Sequence, residues 1–507
     1  MQNMKIIAFL LSGLLYATPL AAQVFPHLTL QKFYDNRGED IPRKILKTPD
    51  GALMIGGTTF IRDSLQESAR VWIIKTDSMG DMIWEREVVL SGYHEFRDMA
   101  LSDDGGVVFA GVTNTLIDHA ERGDDAFGGD YFIGKLDSLG AVEWLQGIGG
   151  SSLDQAFGIS RGIYREFMIA GGSHSRDGEV ASNYGMSDIW LLKIDTNGKP
   201  RYSKVLGGKR DDWPTSLITC QNGDYLLTGF TNSSELGNEK LGPFGNGLLM
   251  RISQQGELIW QRTFACPLGG YFYALTEAPN GNLLLAGTWN SKDQGQQFWW
   301  MILTADGSRI AEQVLKGPGD EVLTAIEACT DGGAIMGGYA KTEWQQTPYA
   351  KGGEDFWLIR TNAQNRIIWQ NTYGGPDSER CASLVEYRPG VYYAVGEKHN
   401  DFQGDGRYRG KDFWLIRIEE YPCTSIKPGI FVRAKNFRVD RGKPVRFRAR
   451  YEFGDRFLWD FGDGTTSTEE QPLKTFKLPG QYNVQLTVYV NEHCQQQVQL
   501  EKMLEVW

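Results

Sequence analysis

The chain has 507 residues, a formal net charge of −11, 61 glycines, 12% aromatic and 41% hydrophobic residues. That is ample material for a large core, and the glycine and aromatic load describes a turn-rich β protein, not a disordered chain. The acidic balance disfavours nucleic acid and anionic membrane surfaces as partners. At the N-terminus, Lys5 precedes the apolar run Ile6–Leu15, and Thr18-Pro19-Leu20-Ala21-Ala22 supplies small residues for cleavage. A run this short reads as a secretory signal peptide over 1–22 and not as a membrane span. No cysteine lies beside that site, which argues against a lipid anchor, and no other stretch approaches the length of a transmembrane helix. The expected location is therefore periplasmic, cell-surface associated or extracellular.

From 23 to 422 the chain repeats. A short apolar strand runs into a glycine at Ala52–Gly57, Val107–Gly111, Phe167–Gly171, Tyr225–Gly229, Leu283–Gly287, Ala334–Gly338 and Val391–Gly396, with the closing glycines 51 to 60 residues apart. A fixed period of that size means a repeat architecture. Each copy is followed by an aromatic strand, namely Val71–Lys75, Asp130–Lys135, Asp188–Lys193, Gly247–Arg251, Phe298–Ile302, Asp355–Arg360 and Asp412–Arg417. A third signature ends in tryptophan at Trp84, Trp144, Trp260 and Trp369, and a fourth appears as Arg97–Leu101, Gln155–Ile159, Thr215–Ile218 and Ser383–Val385. These runs are β-branched, aromatic and bounded by turn residues, so they are strands. Four strands in each of seven periods predict a seven-bladed β-propeller. The repeated Trp72, Trp190, Trp300, Trp357 and Trp414 are expected at equivalent positions in the core between blades.

Tight turns such as Asp104-Gly105, Asn222-Gly223, Asp137–Gly140 and Asp195–Gly198 fall at two of the four connections in each period. Asn, Asp and Gly tolerate the positive φ that such hairpins need. In an antiparallel blade those connections share one face of the disc, which leaves the long loops 114–129, 174–187, 232–245, 341–354 and 399–411 on the other. With the small-residue strand innermost, the order inner, glycine, aromatic and outer Trp strand resembles the kelch type of blade. On that phase the last blade lacks an outer strand, and His27–Tyr34 is expected to supply it from the N-terminus and close the ring.

Near 423 the pattern changes. Trp459-Asp460-Phe461-Gly462-Asp463-Gly464, then Pro472, then Gly480–Val488 closely resemble the PKD (polycystic kidney disease) domain, and the resemblance implies an immunoglobulin-like β-sandwich over 423–507. Lys474-Thr475-Phe476 stands where a histidine is often seen in that family. Val445–Arg450 alternates apolar and cationic residues, as a strand with one buried face does. Trp459 is expected in the sandwich core, with Asp460 and Asp463 holding turn amides. From Lys427 on there are 13 Lys and Arg against 10 Asp and Glu, so the acidity belongs to the propeller. Six cysteines admit 15 pairings. In an immunoglobulin-like sandwich the start of the first strand lies near the start of the last, which points to Cys423 with Cys494. Cys220, Cys329 and Cys381 read as small buried residues.

No nucleophile elbow, HExxH, CxxC pair or phosphate loop is present in the sequence. His94, His119, His174 and His399 come from different blades, so they do not suit a tetrahedral zinc site. Acidic, glycine-rich loops carrying Asp124, Asp125, Asp401 and Asp405 suit calcium better, although neither matches a twelve-residue calcium loop. No cofactor is required by this reading. Asp130, Asp188, Asp355 and Asp412 recur at strand starts and read as backbone ties. Phe127, Tyr184, Phe244, Trp344, Tyr349, Phe402 and Tyr408 place aromatics on the long-loop face; clustered, they would recognise a protein or a glycan at the cell surface, whereas scattered they are loop packing. The expectation is a non-catalytic binding or scaffold protein with the PKD domain as spacer or second interaction module. Two alternatives are a polysaccharide-active hydrolase or lyase with paired carboxylates in the central depression, and a component of a cell-surface or secretion assembly. The repeats look like those of exported Gram-negative proteins that carry a C-terminal sorting domain for type IX secretion, and the chain, which ends at Trp507 just past the PKD-like strands, is read as lacking that domain.

Overall fold

The computed structural model describes residues 23–63, 66–90, 92–114, 129–237, 242, 245–266, 268–292, 295–317, 319–341, 353–399, 410–491 and 494–507. The expected signal peptide lies outside them. The chain divides into two compact units, His27–Glu419 and Glu420–Trp507, with residues 23–26 joined to the second. The boundary expected at 422/423 thus falls at 419/420, and 23–26 leave the ring. The reason is Phe25, which is 1% exposed and packs its ring 6.0 Å from Tyr421 and 5.3 Å from Phe453.

The larger unit is a seven-bladed β-propeller. Six four-stranded antiparallel sheets follow one another as Glu39–Val88, His94–Ile148, Asp154–Leu206, Asp212–Phe264, Gly270–Leu315 and Glu321–Tyr373, each with its strands paired in chain order. The seventh pairs Glu379–Arg388, Val391–His399 and Lys411–Pro422, and takes its outer strand from Val24–Tyr34. First strands of consecutive blades are neighbours all round the ring, with Glu379–Arg388 against Glu39–Lys47 closing it. The described residues contain no helix long and apolar enough to cross a membrane.

The glycine of the repeat has a packing cause. Gly57, Gly171 and Gly396 lie directly opposite Trp72, Trp190 and Trp414 on the next strand. A Cβ at those glycines would collide with Phe413, Tyr131 and Phe356 of the preceding blade. Those rings instead enter the gap and meet the tryptophans at centroid distances of 4.6, 4.2 and 4.7 Å. Burying such aromatic pairs between sheets is what holds neighbouring blades together. In the fifth blade the residue opposite Gly287 is Trp299, not Trp300. Trp300 is also buried, but it faces the other side and donates to Asn365 of the following blade at 3.0 Å. Trp299 and not the expected Trp300 is therefore the equivalent of the other repeated tryptophans, because in a strand one residue reverses the face.

A second repeated contact runs around the rim. Trp84 covers Gly140 and donates from Nε1 to Ser138 O at 3.1 Å, and Trp144 covers Gly198 and donates to Thr196 O at 3.1 Å. Each thus caps a tight turn of the next blade. Tyr34 does the same across the closure, donating to Gly80 O at 2.7 Å, so the N-terminal strand stands in an outer strand's place. Two blades close the opposite face more tightly than the sequence suggests: Asp63 pairs with Gln66 and Ser291 with Gly295, making short hairpins where other blades carry long loops.

In the smaller unit, Trp459 is fully buried among Phe447, Phe461 and Leu486. Val445, Phe447 and Ala449 point inward while Arg446, Arg448 and Arg450 are exposed. Asp460 accepts from the Gly462 amide at 2.9 Å and Asp463 from the Thr465 amide at 3.1 Å. Lys474 forms an ion pair with Asp463 at 2.6 Å and lies over the rings of Phe461 and Phe476. Cys423 and Cys494 form a disulfide; Cys494 opens the strand Cys494–Gln499, and Leu504–Val506 follows it.

Candidate functional site in the central channel

The seven inner strands share one irregularity. In each, the register against the second strand slips by one residue, between Pro42 and Lys44, Phe96 and Asp98, Ala156 and Gly158, Pro214 and Ser216, Phe272 and Ala274, Leu323 and Ala325, and Cys381 and Ser383. A bulge adds one residue without a partner and re-aims its side chain. The added residues are Arg43, Arg97, Phe157, Thr215, Tyr273, Thr324 and Ala382, and all seven line one cavity of about 690 Å³ at the centre of the ring. The backbone feature is repeated, whereas five different residue types fill the column.

Around this ring stand Tyr339, Arg380, Glu397 and Lys411, which line the same cavity. Glu397 and Lys411 lie at strand ends that feed the 399–411 loop, so the charged level of the channel is on the long-loop side. Charges there are mostly paired. Glu397 accepts from Lys411 and His399 at 3.2 Å each and lies 3.7 Å from Arg380. Burial would raise the Glu397 carboxyl, but His399 and Lys411 outweigh it and pull it down to about 2. Arg380 is bound to Glu354 and lies over the Tyr339 ring. Arg97 is bound to Glu95, which also accepts from the Tyr93 hydroxyl at 2.9 Å, and Arg97 lies over the Phe157 ring. Arg43 is exposed to the channel and has no hydrogen bond or salt bridge among the described residues. Although Arg43 reaches solvent inside the channel, the protein crowding that recess lowers its pKa and the like charge of Arg97 lowers it further, while Glu95 and Glu397 oppose the shift.

Toward the tight-turn side, Lys44 pairs with Asp98 at 3.2 Å. Glu327 lines the channel there, and burial pushes its carboxyl up to about 7, with Lys44 opposing and Glu386 reinforcing the shift.

Of the residues expected to bind ligand, Tyr184 is described. It is 61% exposed, and its amide is held by Asp188, as is that of Gly185. Asp188 therefore ties backbone. Phe127, Phe244, Trp344, Tyr349, Phe402 and Tyr408, and the calcium candidates Asp124, Asp125, Asp401 and Asp405, lie outside the described residues. His119 lies outside the described residues and falls in the same repeat as His94, so the four expected histidines do not each come from a separate blade. His94 is buried against Phe132, His174 lies beside Trp213, and His399 is on Glu397, so these three do not converge. Asp35, Asp40 and Asp412 each place an oxygen within 4.8 Å of the others, a spacing that a hard cation would accept. Burial pushes the Asp40 carboxyl up to about 6, with further repulsion from Asp35 and Asp412. Cys220, Cys266, Cys329 and Cys381 are free and buried, and burial pushes the Cys220 and Cys381 thiols up to about 12, which makes them inert.

The channel column was missed in sequence because strict alternation puts its residues on the wrong face. Aligning the seven inner strands does reveal it: each of these residues comes just before a mostly small or charged neighbour, and Arg43 and Arg97 stand in adjacent copies.

No curated protein matches the chain. Among solved structures, a protein of unknown function from Dyadobacter fermentans is similar at 12% identity and a TM-score of 0.42, covering 78% of this chain and 99% of that one. The Pan2 WD40 domain of Neurospora crassa is similar at 10% identity and a TM-score of 0.44, covering 78% and 96%. A fungal alcohol oxidase of the AA5 family, in complex with copper, is similar at 11% identity and a TM-score of 0.42, covering 93% and 99%. At such scores the likenesses carry no argument about ligand or activity. Residues 430–504 match the PKD domain family, which agrees with the buried Trp459 and the turn aspartates of the C-terminal unit.

Proposed function

We propose that this chain is an exported, non-catalytic binding or scaffold protein that recognises a protein or glycan on the long-loop side of its propeller, with the PKD domain as spacer or second interaction module. One observation carries the reading. Seven blades keep the same bulge, yet the side chains the bulges turn into the channel are charged, aromatic, hydroxylic and apolar by turns. A column serving the fold alone would repeat like the glycines do, whereas a rigid scaffold with a varied lining suits recognition. Binding of the mature protein to a glycan array and to surface proteins by pull-down, with and without calcium, tests this. A protein that captures nothing in either format sinks the reading.

The hydrolase or lyase alternative draws on Glu327, whose raised carboxyl lies in the channel near Glu386. A screen against polysaccharides and chromogenic glycosides separates the two. Turnover that disappears in Glu327→Gln would replace the binding assignment with an enzymatic one.

A further inference from the structure

We propose that the long-loop end of the channel is a subsite for the carboxylate of an acidic oligosaccharide, with the Arg43 guanidinium as its anchor. The inference rests on the binding reading above and names the ligand class.

Among the described residues at this end, every cation but one stands within salt-bridge distance of a carboxylate. Glu95 is taken by Arg97, Glu354 by Arg380, and Glu397 by Lys411 and His399. Arg43, on the bulge adjacent to that of Arg97, makes no salt bridge among the described residues; Glu95 and Glu397, already engaged by other cations, act on it only from a distance. Holding two cations side by side in a recess is unfavourable, and Glu95 and Glu397 offset the Arg97 repulsion on Arg43 without abolishing it, so a further anion at Arg43 would be stabilised there. The planar fork of arginine matches a carboxylate with two parallel hydrogen bonds, which a lysine would not provide. The placement is notable in a chain of net charge −11, whose surface repels anions at long range.

Size and wall chemistry select the carrier. A volume of about 690 Å³ lies in the range of sites that enclose small ligands, about 300–1,000 Å³, and a recess of that size does not admit a folded protein surface. Farther round the ring, Thr215 donates its hydroxyl proton to Phe272 O and Thr324 donates its own to Cys381 O. A hydroxyl so committed still offers lone pairs, and these accept hydrogen bonds from a polyhydroxylated ligand. Tyr273 and Tyr339 add phenol groups at the same wall, amphipathic surfaces of the kind on which sugar rings rest. Cation, hydroxyl acceptors and aromatic edges in one ring describe the needs of a uronate-bearing sugar.

Calorimetry of the full mature chain with short oligouronates, their neutral counterparts, sulfated and phosphorylated sugars, and acidic peptides tests this. The expected result is binding of the oligouronate that weakens as salt rises, with the neutral oligomer at least tenfold weaker. Arg43→Gln should cost tenfold or more, and Arg43→Lys should recover only part of the loss, with unchanged melting temperature in both. Equal binding of the neutral sugar, tighter binding of the sulfated or phosphorylated sugars or of acidic peptides, an Arg43→Gln variant that binds as wild type does, or no oligouronate binding would each overturn the proposal. If another ligand captured on arrays still binds Arg43→Gln fully, the binding-protein reading survives while this subsite falls.

Discussion

Ring closure rests on one non-covalent seam, and Tyr34 is the residue to perturb. It is 7% exposed, caps the turn at Gly80, and donates its hydroxyl to the Gly80 carbonyl at 2.7 Å. Tyr34→Ala removes a buried aromatic side chain, a change that costs about 3–5 kcal/mol. Tyr34→Phe removes the hydrogen bond alone, about 1 kcal/mol. Lys32→Ala breaks a pair with Asp81 whose side chains are 36% and 70% exposed, and costs at most about 1 kcal/mol. For a unit as large as His27–Glu419, each kcal/mol moves the melting temperature by about 1.2 °C. The expected order is therefore a fall of about 4–6 °C for Tyr34→Ala, about 1 °C for Tyr34→Phe and at most about 1 °C for Lys32→Ala by the same conversion. Calorimetry gives these values, and amide exchange shows where the loss falls. Protection should drop first over 27–34 and the paired strand Lys411–Pro422, because an opened ring exposes a new sheet edge there. Trp84→Ala makes a similar local loss between two blades that stay linked by the chain, so its exchange pattern should stay confined to its own blade junction. A Tyr34→Ala protein within 1 °C of wild type by calorimetry, or one with 27–34 as protected as before, would refute the closure argument; that threshold is about the shift expected for 1 kcal/mol.

Other outcomes follow from the same contacts. Gly396→Ala should destabilise the propeller by at least about 1–3 kcal/mol, since its Cβ would meet both the Arg380 carbonyl and the Phe356 ring; an unchanged denaturant midpoint would contradict the role given to the repeat glycine. Glu397 is held below its ordinary value of 4.5, so its contribution is present above about pH 4.5 and lost as pH falls toward 2. Glu397→Gln should therefore lower the melting temperature at pH 7 and much less at pH 3, as thermal scans at both pH values will show. Glu327 carries the opposite sign: its raised pKa penalises the folded state as pH rises from 4.5 toward 7, so Glu327→Gln should raise the melting temperature at pH 8 and leave it unchanged at pH 4. The disulfide spans 71 residues of sequence, and removing it with Cys423→Ala and Cys494→Ala should cost the C-terminal unit about 4 kcal/mol on the chain-entropy argument, read as a calorimetric shift confined to that unit's transition.

The blade count, the strand order within a blade, the closing strand and the PKD unit were all legible in the sequence, because each depends on local signals: a two-residue alternation, a turn glycine, an aromatic run, a period of fifty to sixty residues. The repeat glycines could be counted from the sequence, but their reason is tertiary, since the rings of Tyr131, Phe356 and Phe413 that need the space belong to the preceding blade. The misplacement of Trp300 for Trp299 has the same origin, because cross-strand pairing and not run length decides which face a residue takes. The channel was decided by tertiary structure alone. It is assembled from one bulged residue per blade, so Arg43, Arg97 and Tyr273 meet only when the ring closes, and the bulge turns them off the face that alternation assigns. Local patterning specifies elements that bury their own apolar faces, whereas a site made of single residues from every repeat exists only in the closed ring.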